Sequence, residues 1–148
     1  AVTKELYPES NLDTPGAGAA GGLGFALGVF LHAELMPGIE IVMEETRLEE
    51  KIKNADFVVT GEGRLDAQTA MGKAPVGVAK LAKKYHKPVI AFAGGIEKGA
   101  EACNKADITA FFPAVRGVPT LDEAMRPETA AENLAESAAQ VFRLLTLR

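Results

Sequence analysis

Val58-Val59-Thr60-Gly61-Glu62-Gly63-Arg64-Leu65-Asp66-Ala67-Gln68-Thr69-Ala70-Met71-Gly72-Lys73-Ala74 is the stretch on which the fold turns. The short apolar run from Asp56 to Thr60 predicts a strand that stops at Gly61-Glu62-Gly63. Arg64, Asp66, Gln68, Thr69 and Lys73 follow within ten residues, and a helical pattern resumes at Pro75. A strand, a glycine-flanked acid and a polar loop in that order predict a site at the carboxyl end of a parallel strand.

The downstream chain repeats the strand–helix unit. Pro75–Tyr85 predicts a helix with Val78, Leu81, Ala82 and Tyr85 on one face and lysines on the other. Pro88–Ala93 is a continuous apolar run, as in a parallel strand buried on both faces, and Gly94-Gly95 is expected to end it. Glu97–Lys105 predicts a short helix, and Asp107–Phe112 a third strand ended by Pro113. Thr120-Leu121-Asp122-Glu123 has capping-box spacing, and so does Thr129-Ala130-Ala131-Glu132. Leu134, Ala138, Val141 and Leu145 then line one helical face. Parallel strands joined by helical crossovers predict an α/β fold, a three-layer Rossmann-like sheet with flanking helices.

Upstream, residues 1–13 read as a lead-in loop, and Thr14 with Pro15 would open a helix. Six glycines at 16, 18, 21, 22, 24 and 28 weaken that helix, by about 1 kcal/mol each relative to alanine. Gly16, Gly18 and Gly21 spell a dinucleotide fingerprint, but no apolar strand precedes them. Thr14–Ala33 lacks charged residues, yet its first half is almost only glycine and alanine and offers little drive for membrane insertion. The preferred reading is a loop leading into a tightly packed buried helix, with Gly16 and Gly18 near an amino end that can receive an anion. From Ile41 onward, Leu48 and Ile52 mark a surface helix. Residues 1–55 thus read as a glycine-rich helical segment, and 56–148 as the Rossmann-like part.

The 148 residues suffice for one domain with its own core. A formal net charge of -4 without a basic block argues against nucleic acid as a partner. One cysteine, Cys103, cannot form an internal disulfide and fits a reducing compartment. His32 and His86 with that lone cysteine do not make a zinc site. His32 reads as a satisfied core residue, Cys103 as semi-buried and inert, and Arg116 as a solvated loop arginine.

The loop after the first strand carries the chemistry. Glu62 and Asp66 are hard oxygen ligands suited to Mg²⁺, directly or through water. Arg64 offers a planar fork to a carboxylate or phosphate, and Lys73 could neutralise a transferred phosphoryl group. Gly61, Gly63 and Gly72 would leave amides open to an anion, and Gly94-Gly95 ends the neighbouring strand. Acid, two bases and free amides suit phosphoryl transfer. The competing reading pairs Arg64 with Asp66, or has Asp66 cap the next turn. Gly72-Lys73 is followed by alanine, with no glycine five residues earlier, so this is no P-loop. Kinase H-R-D and D-F-G signatures are absent too.

Pro15–Gly24, Gly38-Ile39-Glu40, Ala55–Thr69 and Gly72–Ala79 together resemble the bacterial glycerate kinase family of the first type. Lys87–Ala91 and Asp107–Phe112 are similar to that family's carboxyl-terminal strands. The block from Thr60 to Thr69 is the most specific part and is matched in full. The resemblance implies ATP-dependent phosphorylation of glycerate to 2-phosphoglycerate with Mg²⁺, in a cytoplasmic enzyme of glyoxylate or sugar-acid metabolism. It implies two α/β domains in a chain more than twice this length, of which this sequence is the carboxyl-terminal part. The family's amino-terminal region, with its Ser/Lys-containing loop and Asp-Gly-Gly-Glu-Gly segment, is not in the sequence. The remainder of such a chain is therefore an expected partner, no membrane partner is expected, and a homodimer is left open. The resemblance puts residues 1–55 in, or bridging to, the second domain and supports the Thr60–Thr69 block. The individual roles come from side-chain chemistry, with Arg64, Asp66 and Lys73 expected to be catalytic and Glu62 and Asp66 to face the metal. Gly61, Glu62, Gly63, Gln68, Thr69, Gly16, Gly18, Gly94 and Gly95 bind substrate or phosphate. The chain alone is expected to have little or no kinase activity. A non-catalytic anion- or nucleotide-binding α/β module is the alternative.

Overall fold

Strands buried on both faces need a helical layer on each side, and the apolar runs find one. A computed structural model describes Glu5, Tyr7, Pro8, Asn11 and residues 13–147. Most of the lead-in loop expected over 1–13 lies outside the described residues. The elements run α1 (Leu23–Leu31), α2 (Gly38–Glu45), α3 (Leu48–Lys53), β1 (Val58–Leu65), α4 (Ala74–Lys84), β2 (Val89–Ile96), α5 (Ala102–Lys105), β3 (Ala110–Pro113), α6 (Leu121–Ala124) and α7 (Pro127–Leu145). The strands form one parallel sheet in the order β1-β2-β3, with Val58 opposite Val89 and Ile90 opposite Ala110. This is the expected α/β fold.

Alternation along β2 divides the core. Val89, Ala91 and Ala93 join Val58, Val76, Ala79, Ala82, Cys103 and Ile108 in one cluster, whereas Ile90 and Phe92 join Val141 in another. Helix α4 starts with Pro75 in its first turn, carries Lys83 and Lys84 in its last turn, and buries Val76, Ala79, Leu81 and Ala82. Its alanines let the helix lie close to the sheet, and each fully buried Val or Leu contributes about 1.5–3 kcal/mol. On the other side α7 covers Phe92 and Phe112 with Ala138 and Val141, while Leu134 and Leu145 stay exposed at the ends of the expected stripe.

Several expected boundaries move. Strand β1 does not stop at Gly61 but runs through Gly61-Glu62-Gly63-Arg64 to Leu65, and β2 passes through Gly94-Gly95 to Ile96. A Cβ on Gly61 would sit 2.4 Å from the Phe92 carbonyl oxygen, and one on Gly94 2.8 Å from that of Gly63. These glycines let two strands approach and do not end them. The helix expected over Glu97–Lys105 forms only from Ala102, and β3 starts three residues late and takes in Pro113. The capping box at Thr120 forms, with the Glu123 amide donating to the Thr120 side chain and the Thr120 amide to Glu123. The one at Thr129 does not, because Pro127 already opens α7. The single surface helix expected from Ile41 is two helices, parted where Arg47 adopts φ 48°.

The chain divides into two compact units, Ala1–Ile41 and Val42–Arg148. The division falls earlier than residue 55 because Ile52 is buried in the β1–α4 cluster, with Met43 and Leu48 packed against it. In the first unit, Thr14–Pro15 opens no helix. The chain turns, with the Ala17 amide donating to the Thr14 carbonyl, and α1 begins at Leu23. Gly16, Gly21 and Gly22 take positive φ. Gly24 approaches so closely that its Cβ would lie 2.3 Å from the Gly16 carbonyl oxygen. His32 is not a core residue: it is exposed and ends α1 at φ 52°. Among the described residues no helix is long and apolar enough to cross a membrane.

Candidate active site

The end of β1 and the turn after it bring four of the sequence-predicted residues together. Leu65 is fully buried and anchors the strand end, and Glu62 and Arg64 precede it on β1. Asp66 opens a turn closed by Thr69. The Thr69 amide donates to Asp66 Oδ1 at 2.9 Å, and the Asp66 amide donates to Thr69 Oγ1 at 3.2 Å. This is the reciprocity of a capping box, here in front of the 3-10 turn Thr69–Met71. The Thr69 hydroxyl in turn donates to Glu62 Oε1. Gly72, at φ 109°, reverses the chain so that Lys73 precedes α4, with Nζ 3.4 Å from Asp66 Oδ1. Glu62, Asp66, Thr69 and Lys73 therefore form one connected cluster.

Arg64 does not pair with Asp66. Its guanidinium meets Glu97 at 3.0 Å, both side chains being exposed. The register explains the choice: Arg64 lies opposite Gly95 on β2, and Glu97 follows just past the strand end. The Glu97 amide also donates to the Leu65 carbonyl at 2.9 Å. Gln68 is exposed on the turn, and Gly63 has open space around it. Gly61, Gly94 and Gly95 belong to the paired strands beside the cluster. Gly16 and Gly18 lie in the Ala1–Ile41 unit.

Three supporting residues escaped sequence reasoning or carried a lesser role there. Glu97 is the first charge after a strand that ends in two glycines and Ile96, a position that could have marked it. Gly99, at φ 93°, allows the 97–101 turn to pass beneath Ala67, whose Cβ would lie 3.0 Å from a Cβ at that position. Cys103 is fully buried, and its thiol lies 3.7 Å from the Asp66 carbonyl oxygen. Burial, with Glu62 and Asp66 nearby, pushes that thiol up from its ordinary range, consistent with inertness. Arg116 is no free loop arginine, since it pairs with Glu136. A cavity of 520 Å³ lined by Val59, Gly61, Phe92, Gly94, Ala130 and Leu134 opens over the strand ends on the α7 side. It exists partly because two glycines leave its floor without side chains.

The Thr69 amide, and then Lys73, hold the Asp66 carboxyl below the usual carboxylate range. The sign follows from linkage. A depressed folded-state pKa stabilises the fold fully above the unfolded value, about 3.9, and that contribution disappears as pH falls through the folded value below it. Without divalent cations, NMR titration of the carboxyl carbons should therefore show Asp66 protonating at lower pH than an ordinary aspartate. An ordinary midpoint would mean that the turn bonds do not hold in solution.

Comparison with known proteins assigns the chain. The model of the glycerate kinase family matches residues 1–146. A glycerate kinase of Halalkalibacterium halodurans is 53% identical over 90% of this chain and 37% of that protein. A glycerate 2-kinase of Escherichia coli is 47% identical over 99% of this chain and 38% of that protein. A crystal structure from Salmonella typhimurium, described as glycerate kinase 2, superposes with a TM-score of 0.67 at 43% identity, over 88% of this chain and 32% of the other. The chain thus spans well under half the length of the relatives it matches. Taken with the parallel sheet and the acidic cluster at its carboxyl end, these matches show that the chain belongs to the glycerate kinase family.

Proposed function

We propose that the protein carrying this chain phosphorylates glycerate from ATP in the cytoplasm, giving 2-phosphoglycerate, and that this chain contributes the acidic wall of the cleft. The observation that carries the reading is the convergence of Glu62 and Asp66 on the buried Thr69 hydroxyl, with Lys73 paired to Asp66 Oδ1, in a member of this family. Asp66, kept ionised, is suited to accept a proton from the attacking hydroxyl. Lys73 supplies positive charge beside it, and Arg64 can leave the exposed Glu97 pair for a substrate carboxylate or phosphate. Gly63 and Gln68, both exposed, would supply phosphate contacts.

The donor set fits Mg²⁺. Two carboxylates, each holding one oxygen on Thr69 and keeping the other unbonded among the described residues, match an ion that takes one or two protein carboxylates plus waters and phosphates. Bound there, the ion would offset phosphate charge, with Glu62 holding it directly and Asp66 through a bound water, which leaves Asp66 Oδ2 open to the proton.

The test compares the intact protein with the 148-residue chain in an ATP- and glycerate-dependent assay, with the product identified by ³¹P NMR. The expected result is 2-phosphoglycerate from the intact protein and at most a trace of turnover from the chain. Comparable turnover from both would overturn the division of labour, and 3-phosphoglycerate would overturn the regiochemistry. The rival reading, a non-catalytic anion-binding module, draws on the capping bonds that already occupy Asp66. It predicts thermal stabilisation by ATP-Mg or phosphate without any phosphorylated product.

A further inference from the structure

Among the described residues Thr69 alone of the polar and charged side chains is buried, with no exposed surface. A threonine hydroxyl has one proton to donate and two lone pairs. The Asp66–Thr69 turn is closed by the bond accepted from the Asp66 amide and by the Thr69 amide bond to Asp66 Oδ1, and the hydroxyl also lies 3.2 Å from Asp66 Oδ1. The donated proton is not needed by the turn, yet it reaches seven residues back to Glu62 on β1. That bond fastens a strand carboxylate to a loop carboxylate through a single buried atom. One oxygen of each acid is thereby committed, and Glu62 Oε2 and Asp66 Oδ2 have no bonds among the described residues.

The seat beneath the turn is equally fixed. Cys103 touches the Asp66 carbonyl, and the Gly99 turn packs against Ala67. The turn cannot easily move to follow a displaced Glu62, so the hydroxyl sets the spacing of the two acids.

We propose that Thr69 is a positioning residue for the Glu62–Asp66 carboxylate pair and makes no contact with substrate itself. The proposal rests on the reading that these acids serve phosphoryl transfer. It reassigns Thr69 from the substrate-binding role that the loop's polarity suggested. Its burial leaves no surface for a ligand, and its one hydroxyl proton is committed to the two acids.

The experiment measures kcat, KM for glycerate and KM for ATP-Mg in the intact protein with Thr69→Ser, Thr69→Val and Thr69→Ala, beside Asp66→Asn. Circular dichroism and thermal melting establish that each variant is folded at the assay temperature. Thr69→Ser keeps the hydroxyl and should retain kcat within about threefold. Thr69→Val and Thr69→Ala should lose about 10–100-fold in kcat with both KM values little changed, as expected for misplaced rather than missing catalytic groups. Folded Val and Ala variants with normal turnover, while Asp66→Asn is inactive, would overturn the positioning role and leave the reading of the acids intact. A serine variant as impaired as valine would also overturn it, tracing the loss to packing of the methyl group. Failure of both Val and Ala to fold would assign Thr69 to stability instead and overturn it as well. Normal turnover in Asp66→Asn would remove the reading beneath the proposal.

Discussion

Asp66→Asn in the intact protein is expected to lower kcat for glycerate phosphorylation by about 10²–10⁴-fold, the range a positioned general base contributes. The substitution separates two roles that the geometry superimposes. Asp66 Oδ1 accepts the Thr69 amide, and asparagine keeps an oxygen able to do the same. Asn and Asp serve about equally well as caps, so the turn should persist and the melting temperature should change little. What disappears is the negative charge beside Lys73 and the capacity to accept a proton. If Asp66 only closes the turn, turnover in the asparagine variant will match the parent within a fewfold. Lys73→Met provides the complementary arm. Its loss of positive charge should impair turnover without removing the Asp66–Thr69 turn, since that turn is made without the lysine.

How far the sequence foretold this cluster depends on the distance over which each contact acts. Glu62, Asp66, Thr69 and Lys73 lie within twelve positions, and their side-chain chemistry alone marked them as an anion or metal loop. The partner of Arg64 was not legible, because Glu97 comes near only through the β1–β2 register. The burial of Thr69 was also hidden, since polarity in a loop ordinarily reads as exposure. The starts of β1 and β2 fall within two residues of the expected Asp56 and Pro88, whereas their ends lie three to five residues beyond the expected Thr60 and Ala93. Glycine was read as punctuation, but Gly61 and Gly94 serve backbone approach between strands. Among the caps, Thr120-x-x-Glu123 was read correctly because no stronger signal competed. Thr129-x-x-Glu132 was misread because Pro127, two residues earlier, already fixes the first turn of α7.

Gly61→Ala should destabilise the sheet unit by about 1–3 kcal/mol, as overpacking of a tight contact does, whereas Gly63→Ala should not. Both residues lie in β1 and neither takes the left-handed conformation, so backbone preference does not distinguish them. The difference is in what a methyl group meets. At Gly61 it would fall 2.4 Å from the Phe92 carbonyl oxygen, a backbone atom that cannot swing aside as a side-chain tip could. Gly61 pairs directly with Phe92, so relief requires the two strands to part where Phe92 packs on Val141. At Gly63 the same methyl meets nothing within 4 Å, and reduced unfolded-state entropy makes the change neutral or favourable by up to about 1 kcal/mol. In urea a cost of 2 kcal/mol lowers the unfolding midpoint by about 1 M, well outside measurement error. Because Glu62 sits between the two glycines, the Gly61 variant should also lose turnover while Gly63→Ala retains most of it. An unchanged midpoint for Gly61→Ala would mean that the close strand approach is absent in solution. Gly61 would then revert to the anion-binding role first expected of it.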